Sequence, residues 1–341
     1  MGTCCCQFDL INETVQVDLP KTNKKDLTVT FQSEKTTDVV QIDPTLHSIS
    51  IIPNSLEPVV PPFILQQINT LCYTKIALKL PHGTNAVQYN EDKKIFESCD
   101  INEWLSILYK DKTWTSWIVY NDETKHLGDI HTAKGHCKGI IAWNATHLSW
   151  LVHSVPNFPR EFTGHSISSI EPEEHIYGQS FFHITRQADD IFVKQVIGQL
   201  YNMAPHIFMK HNIPDVEHTK QMISTVVFSD EIQHIAKSPH HEIDIYSDCL
   251  DTYASEWYVE TWKRGHAIIS SNNIKDVSDL CVNGQKYKES QDHSKWATSE
   301  QYYWIGDLNR MTSQYKRGGG GFLVKHQVIA QLFRSFILLH E

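Results

Sequence analysis

The sequence has no apolar run that approaches the roughly 18 residues a helix needs to cross a membrane, so no membrane-spanning helix is expected. Its eight cysteines, Cys4, Cys5, Cys6, Cys72, Cys99, Cys137, Cys249 and Cys281, contain no C-x-x-C pair, which excludes zinc-ribbon and thioredoxin-type sites. Positive charge is also short. A formal net charge of −10 at pH 7 disfavours nucleic-acid binding near neutrality. The opening Met1-Gly2-Thr3-Cys4-Cys5-Cys6 shows neither a basic nor an apolar region, so no signal peptide is read there. Gly2 and three cysteines raise acyl anchoring, but Cys6 stands where Ser or Thr is usual, which argues against it.

What is present suits a globular chain. With 341 residues, 40% hydrophobic and 21% charged, and with 9 Trp, 13 Tyr and 14 Phe, there is core material for one large domain or two halves. The 20 histidines are unusual in their effect. Full protonation would carry the formal charge from −10 to +10, so affinity for a polyanion should rise as pH falls through the histidine range near 6.5.

Residues 1–61 read as an extension of short β-like runs, Val15 to Leu19, Leu27 to Phe31, Val39 to Ile42 and Ser48 to Ile52, with a proline-rich linker from Ser55 to Pro62. A main domain follows in two halves, 62–200 and 201–341. The first carries a strand over Gly178 to Ile184 and a helix over Asp189 to Met203, the second strands over Ser224 to Phe228 and Trp257 to Trp262 and a helix over Gln327 to Leu339. The fold class expected is mixed α/β, with a sheet in each half.

Two stretches carry chemistry. His136 and Lys138 share one face of an extended strand, as do His293 and Lys295. In each case an imidazole able to attack or to protonate lies beside an ammonium able to hold an anionic oxygen. Each pair opens a strand-turn-strand pattern: Gly139 to Trp143 returning over Leu148 to His153, and the strand after Lys295 returning over Tyr302 to Ile305. A polar side chain returns at His153, 17 residues after His136, and at Asn309, 16 after His293. The repeat suggests two halves related by a pseudo-twofold, each giving half of one site. About one or two His-x-Lys triplets are expected by chance. His218-Thr219-Lys220 lacks the hairpin and reads as a surface histidine. Arg310, Lys316 and Arg317 are candidates for flanking phosphates, with a structural ion-pair role as the alternative, and Gly318 to Gly321 supply backbone that can approach a ligand. Cys137 points to the opposite strand face and reads as packing. His234, His240, His241 and Cys249 lack the fixed register of a zinc site and read as loop residues. Glu171 to Glu174 read as a solvated loop that would repel DNA.

The segments GHCKGIIAW, WLVHSVPNFP, YGQSFF, DHSKW, GDLNR and RGGGG, in this order, with LKLP at Leu78 to Pro81 and WIVYND at Trp117 to Asp122, resemble the deoxyribonuclease II family over roughly residues 70–341. The resemblance implies a phospholipase D-like fold with paired His-x-Lys sites, and metal-independent cleavage of DNA in acid, with no cofactor, to 3′-phosphate and 5′-hydroxyl ends. It implies a role in activity for His153, with Asn309 orienting the reacting groups, and a lysosomal or secreted location, which the sequons at Asn12 and Asn144 would suit. The family's cysteine after HSKW is here Ala297, so one bridge is expected to be absent. The expected reaction runs through a phospho-histidine, for which His136 is favoured by analogy, while Lys138 and Lys295 hold the phosphate. Two alternatives stand beside it: a lipid phosphodiesterase, against which each lysine lacks the superfamily's following Asp, and an inactive DNA-binding relative, against which both His-x-Lys units are intact. The sequence leaves homo-oligomerisation open.

Overall fold

The computed structural model describes residues 5–10, 13–18, 27–32, 37–42, 72–110, 112–130, 133–218, 220–239, 241–263 and 273–340. The chain separates into two compact units, 1–57 and 58–341. In the first, β1 (Cys5–Leu10) pairs antiparallel with β2 (Glu13–Asp18), and β3 (Leu27–Gln32) with β4 (Thr37–Ile42). These match three of the expected β runs. The run expected over Ser48 to Ile52 and the proline-rich linker lie outside the described residues.

The second unit holds two large sheets. In chain order it contains β5 (Cys72–Lys79), β6 (Asn85–Asn90), β7 (Ile95–Asp100), α1 (Ile101–Tyr109), β8 (Ser116–Asn121), β9 (Glu123–Thr124), β10 (Asp129–Ile130), β11 (Lys138–Trp143), β12 (His147–His153), β13 (Gln179–Gln187), α2 (Asp190–Asn202) and β14 (Ile207–His211). It continues with β15 (Ile223–Ser229), β16 (Ile232–Lys237), α3 (Ile245–Asp248), β17 (Trp257–Thr261), β18 (Ile274–Val282), β19 (Gln285–Lys288), β20 (Lys295–Thr298), β21 (Tyr302–Gly306), β22 (Gly319–Lys325), α4 (Gln327–Ser335) and β23 (Ile337–His340).

The first sheet has the order β14-β8-β11-β12-β13-β5-β6-β7 and the second β15-β16-β22-β21-β20-β17-β18-β19. The antiparallel run β8-β11-β12-β13-β5 is repeated as β17-β20-β21-β22-β16, and a helix follows the fourth strand in both. The chain is mixed α/β with a pseudo-twofold, as the paired hairpins suggested. β14 returns to the first sheet, so that half extends past residue 200 to His211. The closing helix is shorter than expected: it ends at Ser335, and Ile337–His340 pair with β18 instead.

Burial explains the composition of the central strands. All six residues of β11 are buried, as expected of a strand covered on both faces. One core cluster joins the facing sides of both sheets with α2 and α4, running from Trp150 and Phe182 to Tyr303, Phe322 and Phe333. The outer face of the first sheet packs on α1 through Trp104, Leu105 and Phe181. That of the second packs on α3 through Tyr246, Trp257 and Trp304. β12 and β13 lie against β20 and β21, so the starts of β11 and β20 are brought to one place.

Candidate active site

The two His-x-Lys units are fixed to one another through glycine. The His136 amide donates to the Gly318 carbonyl over 2.8 Å, and the His293 amide donates to the Gly178 carbonyl over 2.8 Å. Each histidine is therefore anchored to the opposite half. A side chain at either glycine would prevent the approach: a Cβ on Gly318 would lie 2.1 Å from the Met203 carbonyl oxygen, and one on Gly178 would lie 2.6 Å from Asp292 Oδ1. The glycine run is not a loop about a ligand. Gly319 to Gly321 form the start of β22 and pack on Leu308, His234 and Trp304.

His136, Lys138, His293, Lys295 and Asn309 line one cavity of about 240 Å³, together with Glu123, Lys125, Ser154, Pro156, Glu174, Tyr177 and Trp262. A larger groove of about 840 Å³ beside α2 and β15 holds His218 and none of these residues.

Strand register shows how the halves correspond. Gly139 faces Val152 and Trp296 faces Ile305, and each begins three residues after its histidine. The match pairs His153 with Gly306, Ser154 with Asp307 and Pro156 with Asn309. His153 and Asn309 are thus not counterparts. Lys138 faces Asn121 and Lys295 faces Thr261, so the next residues, Asp122 and Trp262, correspond. Gly178 and Gly318 correspond through the anchoring bonds, and so do Tyr177 and Arg317 before them.

The surroundings of the two pairs differ sharply. Beside His136, Lys138 Nζ lies 2.5 Å from Asp122 and 3.3 Å from Glu123, and Arg317 reaches the other Asp122 oxygen at 2.6 Å. Beside His293, the ring stacks on Tyr177 at 3.9 Å and meets Trp262 at 4.3 Å. One histidine sits in an ionic cluster and the other between aromatic faces.

The electrostatics follow. Burial opposes the Lys138 charge, but Asp122 and then Glu123 outweigh it and raise its pKa. Lys295 has no such carboxylate pair, and burial followed by the Lys138 charge lowers it to about 8. Burial also opposes the Asp122 charge, yet Lys138, His136 and Arg317 hold that carboxyl well below its ordinary value. His136 is pushed well below the usual histidine range by burial and then by Lys138. Its Nδ1 lies 2.7 Å from the Asp307 carbonyl oxygen. A carbonyl only accepts, so Nδ1 carries the proton and Nε2 the lone pair. The Asp307 carboxyl, raised to about 8 chiefly by burial, accepts from the Gly320 and Lys138 amides at 3.2 and 3.4 Å.

The remaining expected residues are scattered. His153 is on the outer face of the first sheet, 5.1 Å from Phe158 and 6.1 Å from Phe181 by ring centroid. It does not line the cavity, and burial, followed by the Lys138 charge, lowers it to about 3. Arg310 is buried with Asp244 at 3.1 Å and Asp276 at 2.5 Å, which makes it an ion-pairing residue inside the second half, not a phosphate contact at the surface. Lys316 is exposed, with Glu242 at 3.7 Å. Arg317 bonds the Lys134 carbonyl as well as Asp122. His234 is not a loop residue: it is fully buried in β16, stacked on Trp150 at 4.3 Å. His240 lies outside the described residues. Cys137 is fully buried in the central core.

Glu174 is the main residue that the sequence reading misplaced. It is 6% exposed and lines the cavity, because the 3₁₀ turn Pro172–Glu174 folds back over it. Asp122, Glu123, Tyr177 and Trp262 carried no motif either, although the family-like segments WIVYND and YGQSFF contain Asp122 and Tyr177.

Asp122, Glu123 and His136 bring three possible cation ligands within 4.8 Å of one another. The Lys138 ammonium already pairs with the two carboxylates, so a divalent cation there would have to displace a buried charge.

Among known proteins, the family model for deoxyribonuclease II matches residues 82–341. Similar relatives include cell-death-related nuclease 7 of Caenorhabditis elegans, 28% identical over 68% of this chain and 70% of that protein. Deoxyribonuclease-2-alpha of Sus scrofa is 25% identical over 69% of this chain and 72% of that protein. Deoxyribonuclease-2 of Caenorhabditis elegans is 30% identical over 63% and 67%.

Proposed function

Because this chain belongs to the deoxyribonuclease II family and is a hydrolytic deoxyribonuclease, we propose that it cleaves DNA in acid, without a metal, through a phospho-histidine formed in the shared cavity. The observation that carries the reading is the convergence of both His-x-Lys units on one cavity, each histidine hung from the other half's glycine.

His136 is the nucleophile in this reading. Its Nδ1 proton is committed to the Asp307 carbonyl, and burial with Lys138 keeps the ring neutral, so Nε2 is free to attack. His293, as imidazolium between the Tyr177 and Trp262 faces, is the acid; aromatic faces attract a cation. A bond forms from Nε2 of His136 to phosphorus as the bond from phosphorus to the 5′ oxygen breaks, and that oxygen takes the His293 proton. Water then gives a proton to His293 and its oxygen to phosphorus. The phosphorus–nitrogen pair returns to His136, leaving 3′-phosphate and 5′-hydroxyl ends. Lys138 and Lys295 offset charge on the non-bridging oxygens, each such donor being worth about 3 kcal/mol of barrier, and Asn309, on the same cavity wall, orients the reacting groups.

The DNA duplex meets a chain of net charge −10 near neutrality, so acid favours encounter as well as chemistry. Burial holds His153, His183 and His234 near 3, so the reversal to +10 that full protonation would bring is not reached at mildly acidic pH. An acidic or secreted compartment suits such an enzyme. The test is plasmid nicking at pH 5 in EDTA by wild type, His136→Ala and His293→Ala. Cleavage lost in both variants supports one shared site; cleavage that requires a divalent metal refutes the mechanism.

A further inference from the structure

Among the described residues, Glu174 is the acidic side chain of the cavity to which the reaction gives no part and which makes no ion pair. Its Oε2 is buried and makes no hydrogen bond among the described residues, and leaving a buried polar atom unpaired is destabilising. The side chain lines the same cavity as both histidines and both lysines.

The pseudo-twofold sharpens the point. Counting back four residues from Gly178 and Gly318, Glu174 corresponds to Gln314, and each ends a 3₁₀ turn. Gln314 is also buried and leaves its Oε1 unpaired. The fold thus accepts an uncharged side chain of the same shape at this position.

We infer that Glu174 contacts the scissile phosphate as a neutral acid, donating a hydrogen bond from its carboxyl, and that its ionised form turns the phosphate away. This inference rests on the nuclease reading above. An ionised carboxylate can only accept, and a phosphodiester monoanion offers it no donor, so the two repel; the protonated acid supplies a donor instead.

The groups facing Glu174 are mixed. Glu123 from β9 adds to its rise, while Lys125 after β9, Lys138 from β11 and Lys79 from β5 oppose it; burial dominates and brings the carboxyl to about 7. Lys79 is held by the carbonyls of Leu80, Gly83 and His175, each at 3.0 Å. His136, His293 and Lys295 share the cavity wall, and His175 is its chain neighbour. Acid would therefore act on the site twice, once through histidine and once through this carboxyl.

The experiment compares wild type and Glu174→Gln for cleavage of a labelled oligonucleotide in EDTA from pH 5 to 8. Histidine titration is common to both proteins and cancels in the ratio of their rates. The Gln variant should remain active at pH 5, and its rate relative to wild type should rise about tenfold between pH 6 and 8, a carboxyl near 7 losing about a factor of ten in protonated fraction per unit above it. A ratio that stays flat overturns the inference, and so does a folded Gln variant inactive at every pH, which would make Glu174 a proton-transfer group. Oligonucleotide binding by anisotropy in the His293→Ala background gives a second readout: adding Glu174→Ala should make the loss of affinity from pH 6 to 8 smaller, the part due to the other histidines remaining, and an unchanged loss contradicts the idea. If wild type fails to cleave at pH 5, the nuclease reading itself has failed.

Discussion

Lys138 and Asp122 form a buried ion pair at 2.5 Å, and the same positions in the other half hold Lys295 and Trp262. One lysine of the site is matched by carboxylates and its twin is not. The pseudo-twofold therefore repeats the backbone while dividing the chemistry, giving a neutral histidine beside an ionic cluster and a second histidine between aromatic rings.

Removing the Asp122 charge should unfold the balance on that side. Asp122→Asn leaves Lys138 with Glu123 as its carboxylate and takes the Asp122 charge from Arg317, and breaking a buried pair costs roughly 3 to 5 kcal/mol. The folded carboxyl is held below its ordinary value, so its contribution is complete above the unfolded value near 3.9 and is lost only as pH falls through the lower folded value. Urea denaturation should show the same gap between variant and wild type at pH 7 and at pH 5.

Arg310 and Lys316 should separate cleanly. Arg310→Met leaves Asp244 and Asp276 buried without their cation and should lower stability by several kcal/mol, on the order of 3 to 5. Lys316→Ala, at a side chain 73% exposed, should leave stability unchanged. If Lys316 meets DNA, its loss should reduce the slope of log affinity against log salt by about 1; melting curves and a salt titration read both.

The fold should lose stability as pH falls. His234 is held near 3 by burial, while an unfolded histidine titrates near 6.5. Between those values the unfolded chain binds the extra proton, so stability falls as pH falls. His234→Gln should reduce that slope by about 1.4 kcal/mol per pH unit between pH 6 and 4, measured by chemical denaturation across the range.

Much of the candidate site was legible because its two His-x-Lys units fall at two strand starts. His136, Lys138, His293 and Lys295 could be placed on one face by strand periodicity, and the hairpins after them implied the two halves. Equal sequence spacing was a poorer guide. His153 and Asn309 return at similar intervals, but the ladders set Asn309 against Pro156 and put His153 across from Lys138 against Phe158 and Phe181, off the cavity wall. Asp122 and Trp262 could not be paired without knowing which strands flank β11 and β20. Glu174 looked solvated because its neighbours are acidic; a 3₁₀ turn against the cavity buries it. Arg310 looked available for phosphate because its two carboxylate partners lie 66 and 34 residues away in sequence.

The most direct test of the shared site is to find where the phosphoryl group rests. Wild type and His293→Ala are mixed with an oligonucleotide at pH 5, quenched into alkali to preserve phospho-histidine, digested and mapped by mass spectrometry. The account expects the adduct on His136, retained longer in His293→Ala on a substrate with a good leaving group, since water then lacks its base. An adduct on His293 in the wild type, or cleavage with no adduct on either histidine, would contradict it.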